Sequence, residues 1–358
     1  MGLVCVCEVR GLQTVPCLLC AVHSELYTHR NIIPVNGTSA LPVGQLERGA
    51  SGVKRERSVT AVAGTEIRSE PMRAGATGPA RVVDVSCNLR GHTDLPFYNR
   101  VPSAKSRGQE PWQSDTLLAE MDKAQVDIVG LIASVAAHGV GGAEDPIHAD
   151  QVYEVVRQAP DRLFGWVGIN PTKGMETLRY IEYAVTQLGF KGVHCYPHWF
   201  GVPVNDRTYY PIYAKCAELG VPIAMQVGSQ TFRARAKLCA RPVWLDDVAF
   251  HFPELTIIGI HVGSPWVDEM IMLCRNYENV FIMADAHPPS TWEKSLIDYM
   301  SGRGRHNIDG VTKVLWGTDW PMQTFTESLR EVDELDLAPD VKSGLVGGNA
   351  LRVLGLNA

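Results

Sequence analysis

The chain has 358 residues, 45% of them hydrophobic and 20% charged, with a formal net charge of -6. That is apolar material enough for a large core, yet no apolar stretch reaches the ~18–20 residues of a membrane span. The acidic balance, with no basic stripe interleaved with aromatics, argues against a nucleic-acid partner.

Residues 1–80 differ from the rest. They hold one aromatic residue, Tyr27, and no Asp, with 8 Lys+Arg against 6 Glu. Gly, Ser, Thr, Ala and Arg dominate from Asn36 to Gly78. Such a composition buries too little apolar surface to offset the entropy of ordering, so a low-complexity, disordered extension is expected. Cys5, Cys7, Cys17 and Cys20 include one Cys-x-x-Cys but no second pair at zinc-finger spacing. Glu8 and Arg10 interrupt any signal-peptide run, and Val6 stands where a myristoylation site wants Ser or Thr. None of the three is expected to operate. Met72 offers a more ordinary start, just ahead of the first strand.

From Arg81 the pattern becomes one of short apolar runs separated by helical periodicity. The runs are Arg81–Val85, Val126–Ala133, Leu163–Ile169, Phe190–Cys195, Val221–Val227, Leu255–His261, Val280–Ala284 and Lys313–Trp316. Helices are expected over Ser114–Ala124, Asp150–Gln158, Gly174–Leu188, Tyr209–Leu219, Val243–Phe252, Pro265–Tyr277 and Trp292–Tyr299. Ser114 suits a helix start, and Gly189 and Gly220 suit helix ends. Strands alternating with helices imply a parallel sheet, and eight repeats in this length match a closed (β/α)₈ TIM barrel over 81–358. A doubly wound sheet is the alternative, but no Gly-x-Gly-x-x-Gly follows the first strand.

In such a barrel the chemistry sits at the C-terminal ends of the strands. Six of the eleven histidines fall there: His92, His138, His194, His198, His261 and His287. Two further signals stand out. The apolar run ending at Trp316 is followed by Gly317-Thr318-Asp319-Trp320-Pro321, which places a carboxylate at a buried strand end. The run from Leu255 ends in His261. A buried carboxylate is costly unless it is paired, and a titratable partner on a nearby strand end makes the two a candidate acid–base pair.

These stretches resemble the amidohydrolase-related enzymes, a branch of the amidohydrolase superfamily that includes aromatic acid decarboxylases and several hydrolases. The resemblance rests on Gly189–Val193, on Asn205-Asp206 through Pro211–Ala214 to Leu219–Pro222, and on Phe252–Leu255. Ile260–Gly263, Trp316–Pro321 and Gly348-Asn349-Ala350 complete it. It covers nearly all of 81–358 and none of the extension. It implies a divalent metal held by a His-x-His or Glu-x-His pair after strand 1, a His after strand 5 and an Asp after strand 8, with a His after strand 6 nearby. The last two fall on Asp319 and His261. The others fall on Ser86, Asn88 and Gln226, neutral groups that zinc seldom uses. A weak or absent metal site is therefore expected, with His194 or His198, or Asp84 if it turns inward, as replacement ligands.

The expected function is hydrolysis or decarboxylation of a small carboxylated or acyl substrate. Asp319 would be the general acid/base, His261 would polarise the substrate, and His194 would bind or assist. Ser86, Asn88, Gln226, His198 and Trp266 would contact the substrate directly. Trp199-Phe200, Trp266 and Trp320, all in strand-end loops, suit an aromatic or acyl pocket. Cys87 and Cys195 read as small buried hydrophobes rather than nucleophiles. The body shows no disulfide framework, which fits a reducing cytoplasm, and a homo-oligomer is left open. The missing ligands also motivate a rival expectation, a binding or scaffold protein that kept the barrel and lost the chemistry.

Overall fold

The computed structural model describes residues 81–91, 99–135, 146–228, 237–303 and 310–357. The expected extension, His92 and His138 lie outside the described residues. Eight strands form one parallel sheet in sequence order: β1 (Val83–Asn88), β2 (Ile128–Ala133), β3 (Leu163–Gly168), β4 (Gly192–Cys195), β5 (Ile223–Gln226), β6 (Ile257–Ile260), β7 (Val280–Ala284) and β8 (Val314–Trp316). The circle closes where β8 runs into its loop. There the Asp319 N–H donates to the Ser86 carbonyl at 2.7 Å and the Asn88 N–H donates to that of Trp320 at 3.2 Å.

Helices surround the sheet. They are α1 (Pro102–Arg107), α2 (Ser114–Ala124), α3 (Ala149–Val156), α4 (Met175–Thr186), α5 (Pro197–Phe200) and α6 (Tyr210–Leu219). The second half adds α7 (Leu245–His251), α8 (Val267–Asn276), α9 (Lys294–Met300), α10 (Phe325–Glu334), α11 (Pro339–Ser343) and α12 (Asn349–Val353). Every expected strand and helix is found, within a few residues at each end. The largest shift is at β1, which runs three residues beyond the expected Val85 because its polar residues Ser86 and Asn88 pair across the barrel seam. Helices α1, α5 and α10 to α12 were not expected. For α10 the sequence did carry a signal: the Thr324 hydroxyl caps the helix by accepting the Glu327 N–H at 3.2 Å.

Side chains alternate across each strand, so one set faces the lumen and the other faces the helices. Ile132, Phe164, Trp166, Ala224, Ile258, Ile260, Phe281, Met283 and Leu315 form the inner cluster. Trp166 is its largest member, fully buried, with its indole N–H donating to the Val85 carbonyl at 2.8 Å. Gly192 makes room for it, since a Cβ there would lie 2.3 Å from the Trp166 ring. The floor of the barrel is thus apolar and satisfied. Continuing the same inward alternation upward brings His194 above Gly192, Gln226 above Ala224 and Asp285 above Met283.

Candidate active site

The polar residues at the strand ends are buried. Asp84, Ser86, Asn88, His194, His198, Gln226 and Asp285 are each at most 6% exposed. The backbone carries strain in the same region: His261, Val262, Ala286 and Asp319 all have φ between 48° and 62°. Such conformations cost about 1–3 kcal/mol each and gather where function demands a particular side-chain aim.

Beyond β6, the backbone N–H and the Nδ1 of His261 both meet one oxygen of Asp285, at 2.9 and 2.8 Å. Asp285 is fully buried and the His261 side chain is 13% exposed. Burial alone would lower the His261 pKa, but the charge and hydrogen bond of Asp285, with Asp319 adding, raise it to about 9. Burial likewise works against the Asp285 carboxylate, and the charge and hydrogen bond of His261 hold it below its ordinary value. At neutral pH the pair is an imidazolium carboxylate. The sequence reading missed Asp285, although an acid directly after the apolar run Val280–Ala284 repeats the pattern of Asp319 after Trp316.

Asp319 stands on the other side. Burial pushes its carboxyl up to about 7 against the pull of the His261 charge, and Asp285 adds to the rise while Asn88 opposes it. The Asn88 amide nitrogen donates to Asp319 Oδ1 at 2.9 Å and to the Trp320 carbonyl at 2.7 Å. Both of its hydrogens are therefore spent within the protein. Beneath it lies Asp84, which accepts from the Thr318 hydroxyl at 2.6 Å, the Thr318 N–H at 3.1 Å and the Ser86 N–H at 2.8 Å. Burial lifts Asp84 to about 7 despite these three bonds. The Thr318 hydroxyl in turn accepts the Trp320 N–H at 3.1 Å. Gly317 permits this close approach of β8 to β1, because a Cβ there would sit 2.8 Å from Ser86 Cβ. The segment carrying Asp319 is bonded on both sides.

The remaining arc looks different. Ser86 Oγ, His194 Nδ1, both ring nitrogens of His198, Gln226 Oε1 and Asp285 Oδ2 are buried with no hydrogen-bond partner among the described residues. The Ser86 hydroxyl lies near enough to Asp285 to help hold its pKa down, but makes no bond of normal geometry. Burial drives His194 and His198 down to about 3, so both rings are neutral. A polar atom buried without a partner costs about 1–3 kcal/mol. Their concentration at one end of the barrel marks a place completed by a ligand. No such atom lines the cavity of about 680 Å³ at the opposite end, which includes Arg81, Phe164 and Lys191.

Other expected site residues are placed less centrally. Trp266 is half-buried under the Arg241 guanidinium, 5.6 Å from its ring, and Arg241 is bound to Glu269 at 2.6 Å. Trp320 packs on Trp112 at 4.6 Å between ring centroids, and Trp199 lies against Tyr196 at 4.1 Å. His287 meets His261 edge-on at 6.4 Å, with burial lowering its pKa. Cys87 and Cys195 are fully buried, and burial raises both thiols, Cys195 to about 12, so neither is a nucleophile.

The donor set does not fit a divalent metal. Among the described residues no three His, Cys, Asp or Glu side chains are grouped to hold an ion. At its expected ligand position on β1, Asn88 offers only a neutral amide oxygen, its nitrogen being donated to Asp319 and Trp320. Ser86 and Gln226 supply only neutral oxygens. No step is therefore assigned to a metal.

Comparison with known proteins agrees with this architecture. The chain is 22% identical over 311 residues to 2-amino-3-carboxymuconate-6-semialdehyde decarboxylase of Dictyostelium discoideum, covering 76% of this chain and 83% of that protein. Among solved structures, an uncharacterised TIM-barrel protein from Bordetella bronchiseptica superposes with a TM-score of 0.62 at 21% identity, covering 77% of this chain and 99% of the other. A dihydroxybenzoic acid decarboxylase from Polaromonas, solved with bound manganese and 2-nitroresorcinol, gives a TM-score of 0.56 at 16% identity, covering 78% and 98%. The amidohydrolase family model matches residues 104–356, and the chain belongs to the amidohydrolase family.

Proposed function

We propose that this protein is a decarboxylase of small, unsaturated or aromatic carboxylic acids, with Asp319 as the proton donor. The supporting observation is the juxtaposition of a buried carboxyl lifted to about 7 with an imidazolium held by its own carboxylate. A proton donor with a pKa near neutrality is half-loaded under working conditions, which suits general acid catalysis. The decarboxylases among the relatives support the same reading.

In the proposed reaction the substrate carboxylate lies against the His261 imidazolium. Asp319 delivers its proton to the carbon that bears the carboxylate. The π bond at that carbon supplies the pair for the new C–H bond; the carbon–carbon bond then breaks, its electron pair restores the π bond, and carbon dioxide leaves. Asp319 recovers a proton from solvent. The fixed charge on His261 holds the substrate carboxylate beside Asp319 until the carbon–carbon bond breaks, and Asp285 keeps that charge in place. Trp199 and Tyr196 offer apolar surface beside His198 for the flat body of the substrate.

A panel of aromatic and unsaturated carboxylic acids, assayed for released carbon dioxide, tests the proposal. Turnover of at least one acid, lost in Asp319→Asn, is expected. Turnover retained at the wild-type rate in Asp319→Asn would overturn the role of Asp319. A protein that binds such acids at the mouth and releases no carbon dioxide from any of them would favour the binding-protein alternative.

A further inference from the structure

The decarboxylase reading assigns a place for one carboxylate and one proton, and leaves the β4–β5 side of the mouth without a task. That side holds three polar side chains. His194 is the last residue but one of β4, His198 stands on α5 directly after it, and Gln226 ends β5. All are at most 3% exposed. Four of their polar atoms have no partner among the described residues: His194 Nδ1, Nδ1 and Nε2 of His198, and Gln226 Oε1. Strand register makes them neighbours of the reacting pair. His194 lies across from Ala224 in β5, and Gln226 lies across from Ile260, the residue before His261. The inward alternation that sends Trp166 and Ala224 into the lumen also sends His194 and Gln226 toward it.

We infer that His194, His198 and Gln226 form a recognition subsite for a second substituent of the substrate, a hydroxyl or an amine, and that this subsite disfavours a second carboxylate. The inference rests on the decarboxylase reading for the position of the first carboxylate. The chemistry follows from the donor and acceptor inventory. A neutral imidazole offers one N–H and one bare nitrogen, and Gln226 Oε1 only accepts. A hydroxyl or an amine both donates and accepts, so it can satisfy the glutamine oxygen and an imidazole together. An ionised carboxylate only accepts. It could accept from an imidazole N–H, but it would face the glutamine oxygen with nothing to donate to it. Among the described residues no three His, Cys, Asp or Glu side chains are grouped here to hold an ion. Edge-on packing of His198 against Tyr196 at 6.2 Å, and of His194 against the same ring at 4.6 Å, fixes both imidazoles in place.

The test is equilibrium binding to the full chain, by calorimetry, of benzoate, its three monohydroxy and three monoamino isomers, and the three benzenedicarboxylates. All isomers are included because the position of the substituent is part of the answer. At least one hydroxy or amino isomer is expected to bind roughly tenfold or more tightly than benzoate, about the worth of one good neutral hydrogen bond. Its matching dicarboxylate is expected to bind no more tightly than benzoate. In His198→Phe and in Gln226→Met that isomer's advantage over benzoate should disappear, benzoate being measured in each variant as its own reference. If benzoate binds and every hydroxy and amino isomer merely equals it, the subsite is overturned and the decarboxylase reading stands. A dicarboxylate that binds most tightly overturns it as well. If no member of the series binds, both readings fall together. The wild-type series decides the matter even if a variant does not fold.

Discussion

Two arcs of the same barrel mouth are built on opposite terms. Along the β8–β1 seam nearly every polar atom is spoken for: Asp84 holds Thr318, Thr318 holds Trp320, and Asn88 ties Asp319 to the Trp320 carbonyl. Along β4 and β5, His194, His198 and Gln226 keep buried polar atoms that nothing among the described residues satisfies. Folding stability favours the first arrangement and is weakened by the second. The contrast says which part the protein keeps fixed and which part it leaves for a ligand to complete. It also explains the altered residues on β1. The family resemblance implies that these positions would serve an ion. Here Asn88 holds the acid itself.

The sharpest way to break this picture is at the acid. Asp319→Asn keeps the shape and the seam but cannot give up a proton, and a fall in turnover of at least about 100-fold is expected. A loss below tenfold would move the proton donor elsewhere. Loosening the seam should act on stability instead. Asp84→Asn removes one acceptor from a fully buried network of three donors and should cost about 1–3 kcal/mol in urea unfolding. An unchanged midpoint would show that the seam is not held from below.

The His261–Asp285 pair carries a pH signature. The folded pKa of His261, about 9, lies above its ordinary value of 6.5. Its stabilisation is therefore complete below about 6.5 and is lost as pH rises through 9, an effect on the order of 2–3 kcal/mol. Wild-type protein should lose more melting temperature between pH 7 and 9.5 than His261→Gln does. Parallel curves would contradict the pairing. The smallest effects are expected where neither arc is touched. Protein purified without added metal should carry well under one equivalent of zinc or manganese, and a chelator should not move its melting temperature. Stoichiometric metal with a clear drop would restore a metal-dependent site. Removing residues 1–71 should likewise leave the melting temperature unchanged.

The architecture was readable because each strand is a short apolar run bounded by helix signals, and parallel barrels repeat that signal eight times. His261 and Asp319 were readable as titratable groups at two such boundaries. Asp285 was not singled out, though it sits at a third boundary, because its meaning depends on the turn after β6. Only with His261 at a φ of 62° do its N–H and Nδ1 both reach the same carboxylate. Asn88 was read as a substrate contact because the sequence does not show that the β8 loop folds back onto β1. That contact is long-range, 231 residues apart in the chain, and no local pattern announces it. Trp266 was placed at the mouth by its position after β6, whereas its ring is taken up by Arg241.

The central claim is that Asp319 holds its proton near neutral pH. Carbon-13 NMR titration of aspartate carboxyls measures it directly and needs no substrate. Asp319→Asn and Asp84→Asn assign the two resonances expected to titrate well above the rest. A midpoint near 7 for Asp319 is predicted. A midpoint near the ordinary 3.8 would contradict the account, because a carboxyl fully ionised at neutrality has no proton to give.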